Sequence, residues 1–168
     1  MRTRYYHWAL VSLSVLSLGL AYGTIRHNSL VFGIATGLSY LLYRRQDHLA
    51  RLRGRTVGAR ILHAVGGNLI EFTGIAAGAL VVSTSWPILL ALAAVGFRQS
   101  FSWELHDKTS VKYSELFGRP ERITVLTVTL LLSFFNHYVL FYGYSLLALM
   151  ALAESVRQIL HVWRKQRP

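Results

Sequence analysis

Cysteine is absent from the 168 residues, which excludes disulfides, thiolate nucleophiles and Cys-ligated metals. Acidic residues are scarce, seven Asp+Glu against 18 Lys+Arg, for a formal charge of +11. Charged residues of both signs make up only 15% of the chain and hydrophobic residues 53%. That balance excludes a disordered tail. The basic excess alone would suggest a nucleic-acid partner, but the basic residues lie between long uncharged runs, so no nucleic acid is expected. The distribution is that of a multispanning membrane protein. The three prolines form no linker, and no internal repeat or low-complexity tract is present. A single domain over 1–168 is expected.

Six apolar stretches run over Trp8–Ile25, Leu30–Tyr43, Ile61–Val82, Trp86–Phe97, Ile123–Phe135 and Tyr138–Leu160. Several fall short of the roughly 20 residues that cross a bilayer. Ile123–Ala153 holds no charged residue for 31 positions, and the polar pair Asn136-His137 divides it into two helices. The N-terminal run follows a basic start as a signal peptide would. Its Ala21-Tyr22-Gly23 is a weak cleavage match, and the run is retained as a helix. Six spans with both termini inside place 17 of the 18 basic residues on one face, Arg26 being the exception. Five spans or seven destroy this alternation. The expected fold is therefore all-α, an integral membrane protein with six transmembrane helices, both termini cytoplasmic, in a cytoplasmic or inner membrane. Small residues recur four apart at Gly19/Gly23, Gly33/Gly37 and Gly74/Gly78. Such pairs let helices approach closely, within one chain or between two copies.

The segment Tyr43–Phe72 reads YRRQDHLARLRGRTVGARILHAVGGNLIEF. Its Leu49–Thr56 and Leu62–Phe72 portions, the block Glu115–Arg122 and the ending Glu154–Arg164 resemble the CDP-alcohol phosphatidyltransferases. These are six-span membrane enzymes of phospholipid synthesis with the pattern DxxDGxxAR, eight residues, then GxxxDxxxD. The resemblance covers roughly residues 28–164. It implies displacement of CMP from a CDP-linked lipid by an alcohol, with aspartates holding divalent metal on the pyrophosphate. It also implies membrane-lipid partners and dimers, a homodimer or a heterodimer with a related chain.

The motif aspartates are missing. Anchoring on Ala50-Arg51 puts Tyr43 and Gln46 at the first pair and Asp47 at the glycine; with one deletion, His63 and Gly67 fall at the second pair. Without the deletion the second pair falls on Ala64 and Asn68. Mg²⁺ or Mn²⁺ requires oxygen ligands, largely carboxylate, and these degenerate positions do not supply them as a set. No metal and no cofactor are expected unless the chain is an active transferase with altered ligands. The leading reading is a catalytically degenerate relative that pairs with an active one. The alternatives are that altered enzyme and a non-enzymatic lipid- or ligand-binding membrane protein.

Candidate substrate- or phosphate-binding residues are Asp47, Ala50, Arg51, Arg55, Arg60, Glu71, Arg119 and Arg122. Arginine offers bidentate contacts to phosphate; the same cluster also serves as a topology determinant and anionic-lipid contact. His63 is read either as a metal or proton-shuttling group or as an interfacial histidine. Asp47 and His48 sit among Arg44, Arg45 and Arg51, where a local ion pair in a wet loop is expected. Glu104, His106 and Asp107 sit together without a second cluster at fixed spacing, so a metal site there is weakly indicated. Glu71 lies near mid-span on a stripe with Gly67, Gly74 and Gly78, facing another helix. With Arg60 about three turns away, the expectation is a largely protonated Glu71 that donates a hydrogen bond across the interface.

Overall fold

A computed structural model describes residues 4–26, 28–52, 57–79, 81, 86–108 and 117–165, with side chains for 11–23, 28–45, 65–79, 81, 86–99, 117–161, 163 and 164. The described chain is all-helical. It contains α1 (Arg4–Arg26), α2 (Ser29–Leu52), α3 (Val57–Ala79), α4 (Trp86–Lys108), α5 (Arg119–Leu132) and α6 (Tyr138–Lys165). The long uncharged run does break at its polar pair. Ser133 closes α5, and the Oδ1 of Asn136 accepts from the backbone N–H of Tyr138 at 3.0 Å, capping α6. Asn28 caps α2 in the same way through the N–H of Leu30, also at 3.0 Å. A short polar side chain before a helix satisfies one of its orphan donors.

Interhelical contacts fix the directions. Ser12 of α1 and Ser39 of α2 exchange hydroxyl-to-carbonyl hydrogen bonds at 2.8 and 3.1 Å. A methyl group at Gly19 would collide with Ala35 and one at Gly23 with Phe32, so α1 and α2 run antiparallel. Gly33 abuts Leu131 and Gly37 abuts Thr127, setting α2 against α5 in the same sense. Gly74 lies against Leu126 of α5 and Thr36 of α2, and Gly78 against the Tyr144 ring of α6. All three glycine pairs are thus spent on packing within the chain. They bring α2, α3, α5 and α6 together around a core that includes Phe32, Ile75, Leu126, Leu130, Tyr144 and Leu147.

The helices extend beyond the apolar runs at one end of the bundle. α2 continues past Tyr43 to Leu52 and α4 past Phe97 to Lys108, while α3 starts at Val57. The stretches that follow the second and fourth apolar runs are therefore helical over 44–52 and 98–108. Arg, Gln, Leu and Ala in these stretches are good helix formers, and no Pro interrupts them. Arg98 is buried within α4 rather than exposed in a loop.

Among the described residues, one helix segment is long and apolar enough to cross a membrane, Tyr138–His161. Val11–Gly23 and Trp86–Gln99 are shorter apolar helices. α5 has only 14 residues, about 21 Å of helix. Large apolar side chains nevertheless face outward on every helix, among them Leu18, Leu41, Val65, Leu89, Val128 and Leu149.

Candidate functional site

The start of α5 is built by Phe117-Gly118-Arg119-Pro120. Gly118 occupies the N-cap in extended conformation without a side-chain cap, and Pro120 lies in the first turn, where its missing N–H costs nothing. Two arginines three residues apart then share one helix face. α3 runs parallel to α5, so its Gly67, Asn68 and Glu71 meet that face in the same order.

Arg122 is fully buried, and its guanidinium grips Glu71 with two prongs, Nε to Oε1 at 2.5 Å and Nη2 to Oε2 at 3.0 Å. Its Nη1 donates to the Phe117 carbonyl at 2.8 Å. Both oxygens of Glu71 accept from Arg122, in place of the donor role expected of it. The expectation failed because it considered charge only along α3, whereas the partner arrives from α5, 51 residues on.

Arg119 points along α3 toward the end where the helices overrun. Its Nη1 donates to the Tyr43 hydroxyl at 3.2 Å and its Nη2 to the Asn68 Oδ1. The guanidinium lies on the bare face of Gly67, where any Cβ would collide with it and come within 2.9 Å of the Tyr43 hydroxyl. Tyr43 is itself buried and stacks on Tyr40, ring centroids 6.2 Å apart. Among the described residues the Nε of Arg119 has no hydrogen-bond partner. Glu154 of α6, fully buried, accepts from the Phe117 N–H at 3.1 Å. The segment is thereby tied to α2, α3 and α6.

Of the degenerate motif positions, Tyr43 and Gly67 converge on one point, together with the candidates Arg119, Arg122 and Glu71. Asn68, which the ungapped alignment touches, belongs with them. Glu154 and the Phe117 backbone were not singled out by the sequence. An isolated carboxylate within the apolar run Tyr138–Leu160 and the basic Arg-Pro-Glu-Arg just before Ile123 were the available signals. Gln46, Asp47, Ala50 and Arg51 fall in the last turns of α2, and Arg60 and His63 in the first turns of α3; their side chains lie outside the described residues, as do those of Glu104, His106 and Asp107. Arg55 lies outside the described residues altogether.

The resemblance implies a divalent metal at the motif positions. Among the described residues no three His, Asp or Glu side chains converge as a metal site. The carboxylate beside the motif positions has both oxygens engaged by Arg122, and a second guanidinium stands over Gly67. Hard cations require several free oxygen ligands, and two arginines repel them. The described residues do not fit the metal. No protein-family model matches the chain, and comparisons with curated proteins and with solved structures likewise find no match.

Proposed function

We propose that the chain is an integral membrane protein of phospholipid metabolism, resembling the CDP-alcohol phosphatidyltransferases in fold and degenerate in their chemistry. The single observation that carries this reading is the convergence of Tyr43 and Gly67 on Arg119, beside the Arg122–Glu71 pair. Positions separated by 24 residues in the motif alignment meet at one place in the bundle, and arginine occupies that place. Catalysis of the family's kind needs free carboxylates for metal. Among the described residues, the carboxylate beside these positions is Glu71, and it is held by Arg122.

Insertion of all six helices in a bilayer is supported by their apolar outer faces. A soluble bundle turns polar residues outward, and exposed apolar surface on this scale marks contact with lipid or protein. The charge pattern supports the orientation. The starts of α1, α3 and α5 and the ends of α2, α4 and α6 share one end of the bundle, which carries nearly all the basic residues among those described and is assigned to the cytoplasm. Trp86, Phe134, Phe135, Tyr138 and Tyr142 are exposed at the opposite end, where aromatic side chains suit the interface. The pairing partner is a second copy or a related chain bearing the four aspartates.

The test is release of CMP from CDP-diacylglycerol or CDP-archaeol by the purified full chain, with a panel of alcohols and Mg²⁺ or Mn²⁺. No turnover is expected from the chain alone. Turnover that survives purification away from all relatives would establish the active-transferase alternative instead.

A further inference from the structure

Two arginines in one turn of α5 meet opposite fates. Arg122 is neutralised by Glu71. Arg119 is held only by neutral acceptors, a phenol hydroxyl and an amide oxygen, and forms no ion pair among the described residues. Neutral hydrogen bonds orient a guanidinium without cancelling its charge. Its Nε–H, shielded from solvent, is left without an acceptor among the described residues, and a buried donor left unpaired is costly. The uncapped first turn of α5 adds its own partial positive charge at the same place. Glu121 in that turn is exposed and makes no ion pair with Arg119.

The position is recessed. Arg119 is level with Tyr43 and Gly67, while α2 continues nine residues beyond Tyr43 and α3 begins ten residues before Gly67. At about 1.5 Å per residue these walls rise roughly 14–15 Å past the guanidinium. Arg119 remains partly exposed.

We infer that Arg119 is a built-in cation, standing where the resemblance expects a metal ion and binding a phosphate-bearing anion directly, without metal. The inference rests on the phospholipid reading above for the choice of phosphate over other oxyanions. Guanidinium suits the task because its planar fork pairs with phosphate oxygens, and Tyr43 and Asn68 hold that fork in advance. Gly67 is part of the device: only a residue without a side chain leaves room for the guanidinium on α3. The shared chemistry is a phosphate group, supplied either by a lipid headgroup of the adjoining leaflet or by a soluble phosphate compound.

The test uses the purified full chain in neutral detergent, with EDTA and in parallel with Mg²⁺. One arm follows retention of phosphatidylglycerol against phosphatidylcholine by native mass spectrometry. The other titrates inorganic pyrophosphate by tryptophan fluorescence. Saturable binding in at least one arm is expected, weakened about tenfold or more in Arg119→Gln, since charge-assisted hydrogen bonds to phosphate are lost, and less in Arg119→Lys. Gly67→Ala should weaken it comparably by displacing the guanidinium at unchanged net charge. Should Arg119→Gln fail to give monodisperse protein, Gly67→Ala and Asn68→Ala carry the test. Binding confined to the lipid arm identifies a headgroup; binding of pyrophosphate identifies a soluble phosphate. Binding in neither arm, binding indifferent to these variants, or binding that appears only with Mg²⁺ overturns the inference. Cytidine diphosphate separates it from the family reading. Equal binding of pyrophosphate and cytidine diphosphate through Arg119 keeps the built-in cation and removes the nucleotide link. Cytidine-dependent binding indifferent to Arg119 does the reverse.

Discussion

Glu71 and Arg122 form a buried two-pronged ion pair that ties the middle of α3 to the first turn of α5. The two charges are worth having together because neither is tolerable alone. A lone ion away from water carries a desolvation cost of several kcal/mol, which a well-aligned partner offsets. The third Arg122 nitrogen holds the Phe117 carbonyl, so the pair also sets the angle at which the chain enters α5.

Removing one member should therefore be far worse than removing both. Glu71→Leu is expected to cost about 3–5 kcal/mol by stranding the arginine. Glu71→Gln should also destabilise strongly, since it cannot neutralise Arg122. Glu71→Met with Arg122→Leu should recover most of the loss. Thermal or denaturant melts in detergent measure this; a silent Glu71→Gln would show that the carboxylate is not paired.

At the α1–α2 seam, a single methyl group fits between Gly19 and Ala35 and two do not. Gly19→Ala should destabilise by about 1–3 kcal/mol through overpacking. Combining it with Ala35→Gly moves the methyl across the seam and should restore most of the stability. Equal melting of the single and double variants would mean that the helices separate to accommodate the extra group.

Much of the architecture was legible because apolar runs and punctuation coincide. Asn136 caps α6 where the uncharged stretch was divided, and the Gly74/Gly78 stripe meets Leu126 and Tyr144 as small residues at helix interfaces do. Helix ends were less legible. The stretch after Tyr43 is basic, which reads as loop, yet its residues propagate a helix already nucleated in the apolar run. The partners of Glu71 and Arg119 were illegible for a different reason. Side chains three or four residues apart announce themselves along one helix, but pairing across 51 positions depends on α3 and α5 running parallel. Tyr43 and Gly67 were flagged as departures from a motif; that both serve to seat Arg119 required the geometry.

Absence of native cysteine makes the orientation straightforward to check. Single cysteines replacing Arg53 or Thr109, or appended at the C-terminus, should label from the cytoplasmic side with a membrane-impermeant maleimide. One replacing Thr84 should label from the opposite side. Labelling of Thr109→Cys and Thr84→Cys from the same side would rule out six spans.

The substitution of guanidinium for metal is tested most directly by Mn²⁺ binding, read by electron paramagnetic resonance on the purified full chain. Mn²⁺ is expected to remain free in solution at stoichiometric concentrations, in wild type and in Glu71→Gln alike, because Arg119 and Arg122 hold the ground a cation would need. One or two tightly bound Mn²⁺ ions per chain, lost in Glu71→Gln, would contradict it and restore a metal-dependent site.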